Sequence, residues 1–251
     1  MGADTATHVN GSHAANVLLD VEGARFAYGD LVAVWDVSLR AHAGAVTAIV
    51  GRNGAGKTTL MFGLAGVLPA AAGTIRLEGK DLTKAPAWDR AAAGVCLVPE
   101  GKRVFRDLTV EEHVTVGLPR SVRGSERRER CNEVFDRFPI LHEKRSALAG
   151  SLSGGQQQML AIASVLTMRP KVLLVDEPSS GLAPTAVDKV MSTLDELKQE
   201  GIAIVLVEQL IEDVVTGIAD EVLVIEQGRV VMHDVPERIS LRDLEQRLYV
   251  A

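Results

Sequence analysis

The chain has 251 residues, 47% hydrophobic and 24% charged, proportions that allow one large α/β domain, or a domain with a subdomain, around a sizeable core. A formal charge of −6 and a pI near 5.6 argue against binding nucleic acid through an overall positive field. The two cysteines, Cys96 and Cys131, lack CxxC spacing and suit a reducing compartment, and no apolar run reaches the roughly 18 residues of a membrane span.

Residues 1–15 are small and polar and are expected to form a disordered leader; nothing in them resembles a signal peptide, and His8 and His13 there lack the frame of a metal site. From Val17 to Leu39 the sequence alternates around Tyr28-Gly29-Asp30, which predicts antiparallel strands joined by a turn. Tyr28 has two readings on spacing alone: a strand-end aromatic packed on its neighbour, or a platform on which an adenine ring stacks.

The apolar run Ala45–Val50 predicts a buried strand. It leads into Gly51-Arg52-Asn53-Gly54-Ala55-Gly56-Lys57-Thr58, which fits G-x-x-x-x-G-K-[ST] and continues through Thr59 into a helical pattern. Glycines let the backbone curl so that successive N–H groups meet phosphate oxygens, and the helix N-terminus adds positive potential. Lys57 supplies a point charge to the β/γ-phosphates and Thr58 a hydroxyl to Mg²⁺.

Gly73–Gly79 reads as a short strand between glycine turns. Val95–Val98 reads as a buried strand ending at Pro99-Glu100-Gly101, which puts a carboxylate at the carboxyl edge of a sheet, where ligands bind in doubly wound folds. The character changes over 109–150: Thr109 and Glu112 make a capping box for a helix through Val116, and Ser125–Phe138 is a second helix. No strand follows either one, so a helical insertion is expected. The arginines at 120, 123, 127, 128 and 130 read either as a docking patch or, since Glu126 and Glu129 interleave them, as a solvated helix face, which the interleaving favours.

Ser153 and Gln156 have capping-box spacing at the start of another helix, with Gly154 and Gly155 between them. The turn is either a second anion site or an ordinary capped helix. Val172–Val175 then predicts a buried strand ending in Asp176-Glu177-Pro178. In a protein with a P-loop, the first acid holds Mg²⁺ through its water shell and the second orients or deprotonates an attacking water. Pro184–Glu200 reads as a helix, Ile202–Val207 as a buried strand closing at Glu208-Gln209, 220–233 as a hairpin around Gln227-Gly228, and 236–249 as a final helix.

With the P-loop, Leu152-Ser153-Gly154-Gly155-Gln156 and Leu173-Leu174-Val175-Asp176-Glu177-Pro178 in this order, residues 17–249 resemble the ATPase subunits of ABC transporters. The resemblance implies an α/β P-loop NTPase of the ABC type over 16–251. Its parts would be a mainly parallel central sheet, an N-terminal antiparallel β-subdomain and a helical subdomain at about 105–168 inserted in a RecA-like core. It further implies that Tyr28 stacks on adenine, that Ser153–Gln156 is the signature turn, and that Asp176 and Glu177 are the metal-side and catalytic acids. ATP and Mg²⁺ are the implied ligands.

Three positions depart from the general family pattern. Glu100 stands where a glutamine is usual, Gln209 replaces the switch histidine, and the aspartate of the loop Ser180–Pro184 is missing. These departures occur together in the ATPases of branched-chain amino acid importers and their urea or amide relatives. Glu100 is expected to face Mg²⁺ or the attacking water, and Gln209 to sense the γ-phosphate through a neutral amide.

One P-loop and one signature per chain imply a second ATPase chain, identical or homologous. The resemblance also implies multi-span membrane permease subunits, a solute-binding protein met only indirectly, no nucleic acid, and a peripheral place on the cytoplasmic side of the membrane. A lipid-export ATPase and a non-transport ATP clamp are the competing readings.

Overall fold

Alternating and continuous apolar runs separate into two sheets of different character. In the computed structural model, which describes residues 16–101, 104–119, 121–209 and 214–249, the chain begins with β1 (Val17–Tyr28), β2 (Leu31–His42) and β3 (Val46–Val50). There follow α1 (Lys57–Leu64), β4 (Ala70–Leu77), β5 (Lys80–Asp81), α2 (Ala87–Ala93) and β6 (Val95–Val98). Helices α3 (Val110–Val116), α4 (Gly124–Arg137), α5 (Pro139–Glu143) and α6 (Gly154–Leu166) come next. The chain continues through β7 (Val172–Asp176), α7 (Pro184–Gln199), β8 (Ala203–Val207), β9 (Glu221–Glu226), β10 (Arg229–Asp234) and α8 (Leu241–Tyr249). The leader expected over 1–15, with His8 and His13, and Arg120 of the arginine run lie outside the described residues.

β1, β2, β4 and β5 form an antiparallel sheet in the order β2-β1-β4-β5. The second sheet runs β10-β9-β3-β8-β7-β6 and is parallel throughout except for its edge strand β10. β3, β7 and β8 are buried along their whole length, as continuous apolar strands covered on both faces should be. Their side chains divide by the two-residue strand period. Leu173, Val175, Ile204 and Leu206 join the core under α3–α7, whereas Val172, Leu174, Val205 and Val207 join the core shared with α1 and the antiparallel sheet.

Both helices expected in the insertion are present. Thr109 and Glu112 cap α3 reciprocally, and Ser125–Glu129 of α4 are exposed, with Arg130 paired to Glu126 at 2.7 Å. Arg90 is 1% exposed and donates to Gly63 O, Leu64 O, Thr83 O and Ala85 O, so one guanidinium stitches the end of α1 to the chain that follows β5.

Two expectations need correction. Gly73 is not a turn before a strand but lies inside β4, at φ +87°, opposite a bulge of β1; a Cβ there would lie 2.4 Å from Gly23 O, so the close approach of β1 dictates glycine. The helix expected over 236–249 is split. Pro236–Arg238 forms a single 3-10 turn, and Ser240 Oγ accepts the Asp243 N–H to start α8 afresh.

Candidate functional site

The loop leaving β3 is shaped by close approaches that exclude side chains. A Cβ on Gly51 would lie 2.3 Å from Ile225 O, and one on Gly56, at φ +101°, 2.7 Å from Ala33 O. Within this curl Lys57 is only 4% exposed. Its ammonium donates to Gly51 O (2.8 Å) and Arg52 O (3.2 Å) and stands 3.8 Å from Glu177 Oε1. Burial lowers the Lys57 pKa, opposed by the negative charges of Glu177, Asp176 and Glu100.

A cavity of about 570 Å³ opens above this loop. Asn53, Gly54, Gly56, Lys57, Thr58 and Thr59 line one side, and Glu100, Glu177 and Gln209 face them from the ends of β6, β7 and β8. Topology explains the convergence, since these strands are parallel neighbours and their carboxyl ends emerge together. Gly51 and Ala55 form the loop behind the cavity, and Tyr28 lies half-exposed at the β1–β2 turn, opposite Leu31. The cavity wall near that turn is made by Leu31, Val32 and Ala33.

Asp176 is fully buried beneath the cavity, and neither carboxylate oxygen has a hydrogen-bond partner among the described residues. Burial pushes its pKa up to about 6. The Thr58 hydroxyl offsets this in part although it makes no bond of normal geometry, and the charges of Glu177 and Glu100 add to the rise. An unpaired buried carboxylate beside a hydroxyl is chemistry suited to a hard divalent cation. No group of three or more His, Cys, Asp or Glu among the described residues makes a metal cage, so such a cation would take one or two protein oxygens and complete its shell with phosphate and water, as Mg²⁺ does.

A carboxyl whose pKa rises on folding costs stability as pH climbs through the window between its ordinary and folded values. Asp176→Asn is therefore expected to raise the melting temperature of the ligand-free chain by a few degrees near pH 8. The gap should close as pH falls from about 6 toward about 4, where Asp176 takes up its proton. Thermal melts of both proteins across that range check it, and an unchanged or lowered melting temperature contradicts it.

Glu177 follows at φ +46°, an uncommon conformation for a residue with a Cβ, held by its N–H donating to Val207 O at 2.9 Å. Its Oε2 accepts the Gln209 side-chain amide at 2.6 Å. A carboxylate, an amide and the Lys57 ammonium thus meet where a terminal phosphate and a water would sit.

The signature turn is elsewhere. Ser153 caps α6, its hydroxyl oxygen accepting Gln156 N–H at 3.4 Å while Gln156 Oε1 accepts Ser153 N–H at 3.0 Å. Gly155 abuts Ala186 at the start of α7, with a hypothetical Cβ 2.7 Å away. None of Ser153, Gly154, Gly155 or Gln156 lines the P-loop cavity. Sequence reasoning also missed Val32, Ala33 and Gln227, which line it, and gave Glu208 no role; only the position of Glu208 beside Gln209 hinted at one.

Comparison with known proteins bears on the family and the fold. The family described as ABC transporter matches residues 34–180. The chain is 41% identical over 207 residues to the high-affinity branched-chain amino acid transport ATP-binding protein BraG of Pseudomonas aeruginosa, covering 82% of this chain and 88% of BraG. It is 29% identical over 226 residues to the lipopolysaccharide export system ATP-binding protein LptB of Escherichia coli K12, covering 89% and 93%. Among solved structures, cbiO1 from Clostridium perfringens, part of the transporter complex cbiONQ, superposes with a TM-score of 0.76 at 31% identity, covering 93% of this chain and 96% of that one.

Proposed function

The chain belongs to the ABC transporter family as an ATP-binding, ATP-hydrolysing subunit, and from that membership we propose that it powers an importer of branched-chain amino acids. Hydrolysis rests on one observation above all: Glu177 accepts the Gln209 amide and stands 3.8 Å from the Lys57 ammonium at the P-loop cavity. The solute class rests on the similarity to BraG, which exceeds that to LptB, supported by Glu100 and Gln209 through the resemblance drawn from the sequence.

In this reading the triphosphate lies along the amides from Asn53 to Thr59, with Tyr28 near the base. Lys57 exchanges its bonds to Gly51 O and Arg52 O for phosphate oxygens. Glu177 and the Gln209 amide hold a water in line with the γ-phosphorus; the water oxygen bonds to phosphorus as the bond to the bridging oxygen of ADP breaks, and Glu177 takes the proton. Mg²⁺, held by Thr58 and Asp176 with Glu100 at the rim, would neutralise phosphate charge.

A second chain, identical or homologous, completes the cage. Because Ser153 Oγ accepts from Gln156 N–H, its own hydrogen is left to donate outward to that chain's γ-phosphate, beside the Gly154 and Gly155 amides. The helical subdomain at about 105–168 and the segment after Glu100 would meet the permease, where Phe105 and Leu148 are exposed. No described helix is long and apolar enough to cross a membrane. In this reading the chain is peripheral on the cytoplasmic side and meets the membrane through those subunits.

The test is to purify the chain with its multi-span membrane subunits and measure solute uptake into proteoliposomes. ATP-dependent uptake of leucine, isoleucine or valine is expected. Absence of any membrane partner would sink the transport reading, and transport of urea, an amide or a lipid instead would overturn the solute class.

A further inference from the structure

The ends of β7 and β8 are tied together by a carboxylate to which the reaction above gives no part. Glu208 precedes Gln209, is 1% exposed, and reaches under the loop that leaves β7. Its Oε1 accepts the Ser179 N–H at 2.8 Å, and its Oε2 accepts the Ser179 hydroxyl at 2.7 Å and the Gln209 N–H at 3.1 Å. From the other side, Glu177 N–H donates to Val207 O and the Gln209 amide donates to Glu177. The two strand ends are therefore cross-tied through both backbone and side chains.

A buried carboxylate is costly unless hydrogen bonds meet its charge. Burial indeed pushes the Glu208 pKa up, while its bonds to Ser179 and Gln209 pull it back. The requirement for this residue lies in its acceptors. Three donors converge on two oxygens, and a glutamine in the same place would turn its NH₂ toward a backbone N–H whichever way it faced. An aliphatic side chain would leave both backbone donors unmet.

We infer that Glu208 is a positioning residue for ATP hydrolysis: it locks the backbone of Gln209 to the loop at Ser179, so that the Gln209 amide is held on Glu177. The inference rests on the hydrolysis reading above. Its reach extends past one site, because the Ser179 loop runs into α7, where Ala186 abuts Gly155 of the signature turn. Glu208 thus stands between groups facing one ATP and the turn that faces the other. A cavity of about 420 Å³ lined by Ser179, Ser180 and Glu208 shares Glu177 and Gln209 with the P-loop cavity, so the tie lies between the two.

The experiment compares Glu208→Gln, Glu208→Asp, Ser179→Ala, Gln209→Ala and the Glu208→Gln/Gln209→Ala double variant in the assembled transporter. Glu208→Gln is expected to lower kcat about tenfold with the affinity for a fluorescent ATP analogue within about twofold of wild type. Glu208→Asp keeps both carboxylate oxygens on a side chain one methylene shorter and should recover part of the rate lost in Glu208→Gln; a rate no higher than that of Glu208→Gln would count against the acceptor argument. In the Gln209→Ala background Glu208→Gln should cost less than about threefold, because the pair acts as one unit. Wild-type kcat for Glu208→Gln, or the same loss in both backgrounds, would overturn the inference. Should Glu208→Gln fail to fold, Ser179→Ala removes only one donor; a lowered kcat at unchanged melting temperature supports the role, and an unchanged kcat overturns it. Absence of ATP hydrolysis by the wild-type complex would sink the functional reading itself, and is recognised before any variant is compared.

Discussion

Glu177→Gln is expected to lower kcat for ATP by about a hundredfold or more while leaving ATP affinity within a few-fold of wild type. The substitution is close to isosteric, and its side-chain oxygen can still accept the Gln209 amide that Glu177 Oε2 accepts at 2.6 Å. What it removes is the proton acceptor of the proposed reaction and the negative charge 3.8 Å from the Lys57 ammonium. Loss of a positioned general base costs about 10²–10⁴ in rate; Asp176 lies buried beneath the cavity, and Glu100, which lines it, is not the acceptor of the Gln209 amide. Equilibrium binding and steady-state hydrolysis on the same complex check the split, and near-normal turnover would remove Glu177 from the centre of the reaction.

Lys57→Ala should fail at the earlier step. Lys57 is the cation set among Glu100, Asp176 and Glu177, whose charges all oppose the lowering of its pKa. Without it a triphosphate would enter a cavity of its own sign, and the Gly51 and Arg52 carbonyls would lose their donor. Charge-assisted hydrogen bonds contribute about 1.5–3 kcal/mol each, so ATP affinity is expected to fall on the order of a hundredfold, with kcat/KM falling further. Lys57→Arg should rescue little, because a planar guanidinium does not fit a site where the lysine is 4% exposed. Calorimetric titration with ATP separates this outcome from that of Glu177→Gln, which keeps binding.

These two residues were legible in the sequence because their chemistry is local. A P-loop lysine is fixed by the glycines around it, and Asp176-Glu177 by the apolar strand that ends there. The remainder of the site comes from long-range pairing. Trp35 N–H donates to Gly228 O, and Gly228 N–H to Ala55 O, so residues nearly two hundred positions apart wall one cavity. No local pattern marks Val32, Ala33 or Gln227 for that duty.

Glu208 was illegible for a related reason. An acid after an apolar strand reads as solvated, and only the parallel pairing of β7 with β8 places Ser179 over it. Gly73 was misread because a glycine that admits a neighbouring strand has the same letter as one that turns. The 236–249 segment lost its first turn of helix to the cap at Ser240.

In the proposed assembly Ser153–Gln156, which lies outside the cavity of its own chain, completes the site of a second chain. The most direct measurement is the mass in solution of the Glu177→Gln chain with and without MgATP, alone and mixed with any homologous ATPase of its transporter. A shared site predicts that MgATP converts single chains to pairs, that ADP does not, and that Gly155→Asp abolishes pairing while leaving each P-loop able to bind. An ATP-saturated chain that stays at the mass of one copy, alone and in the mixture, would contradict it.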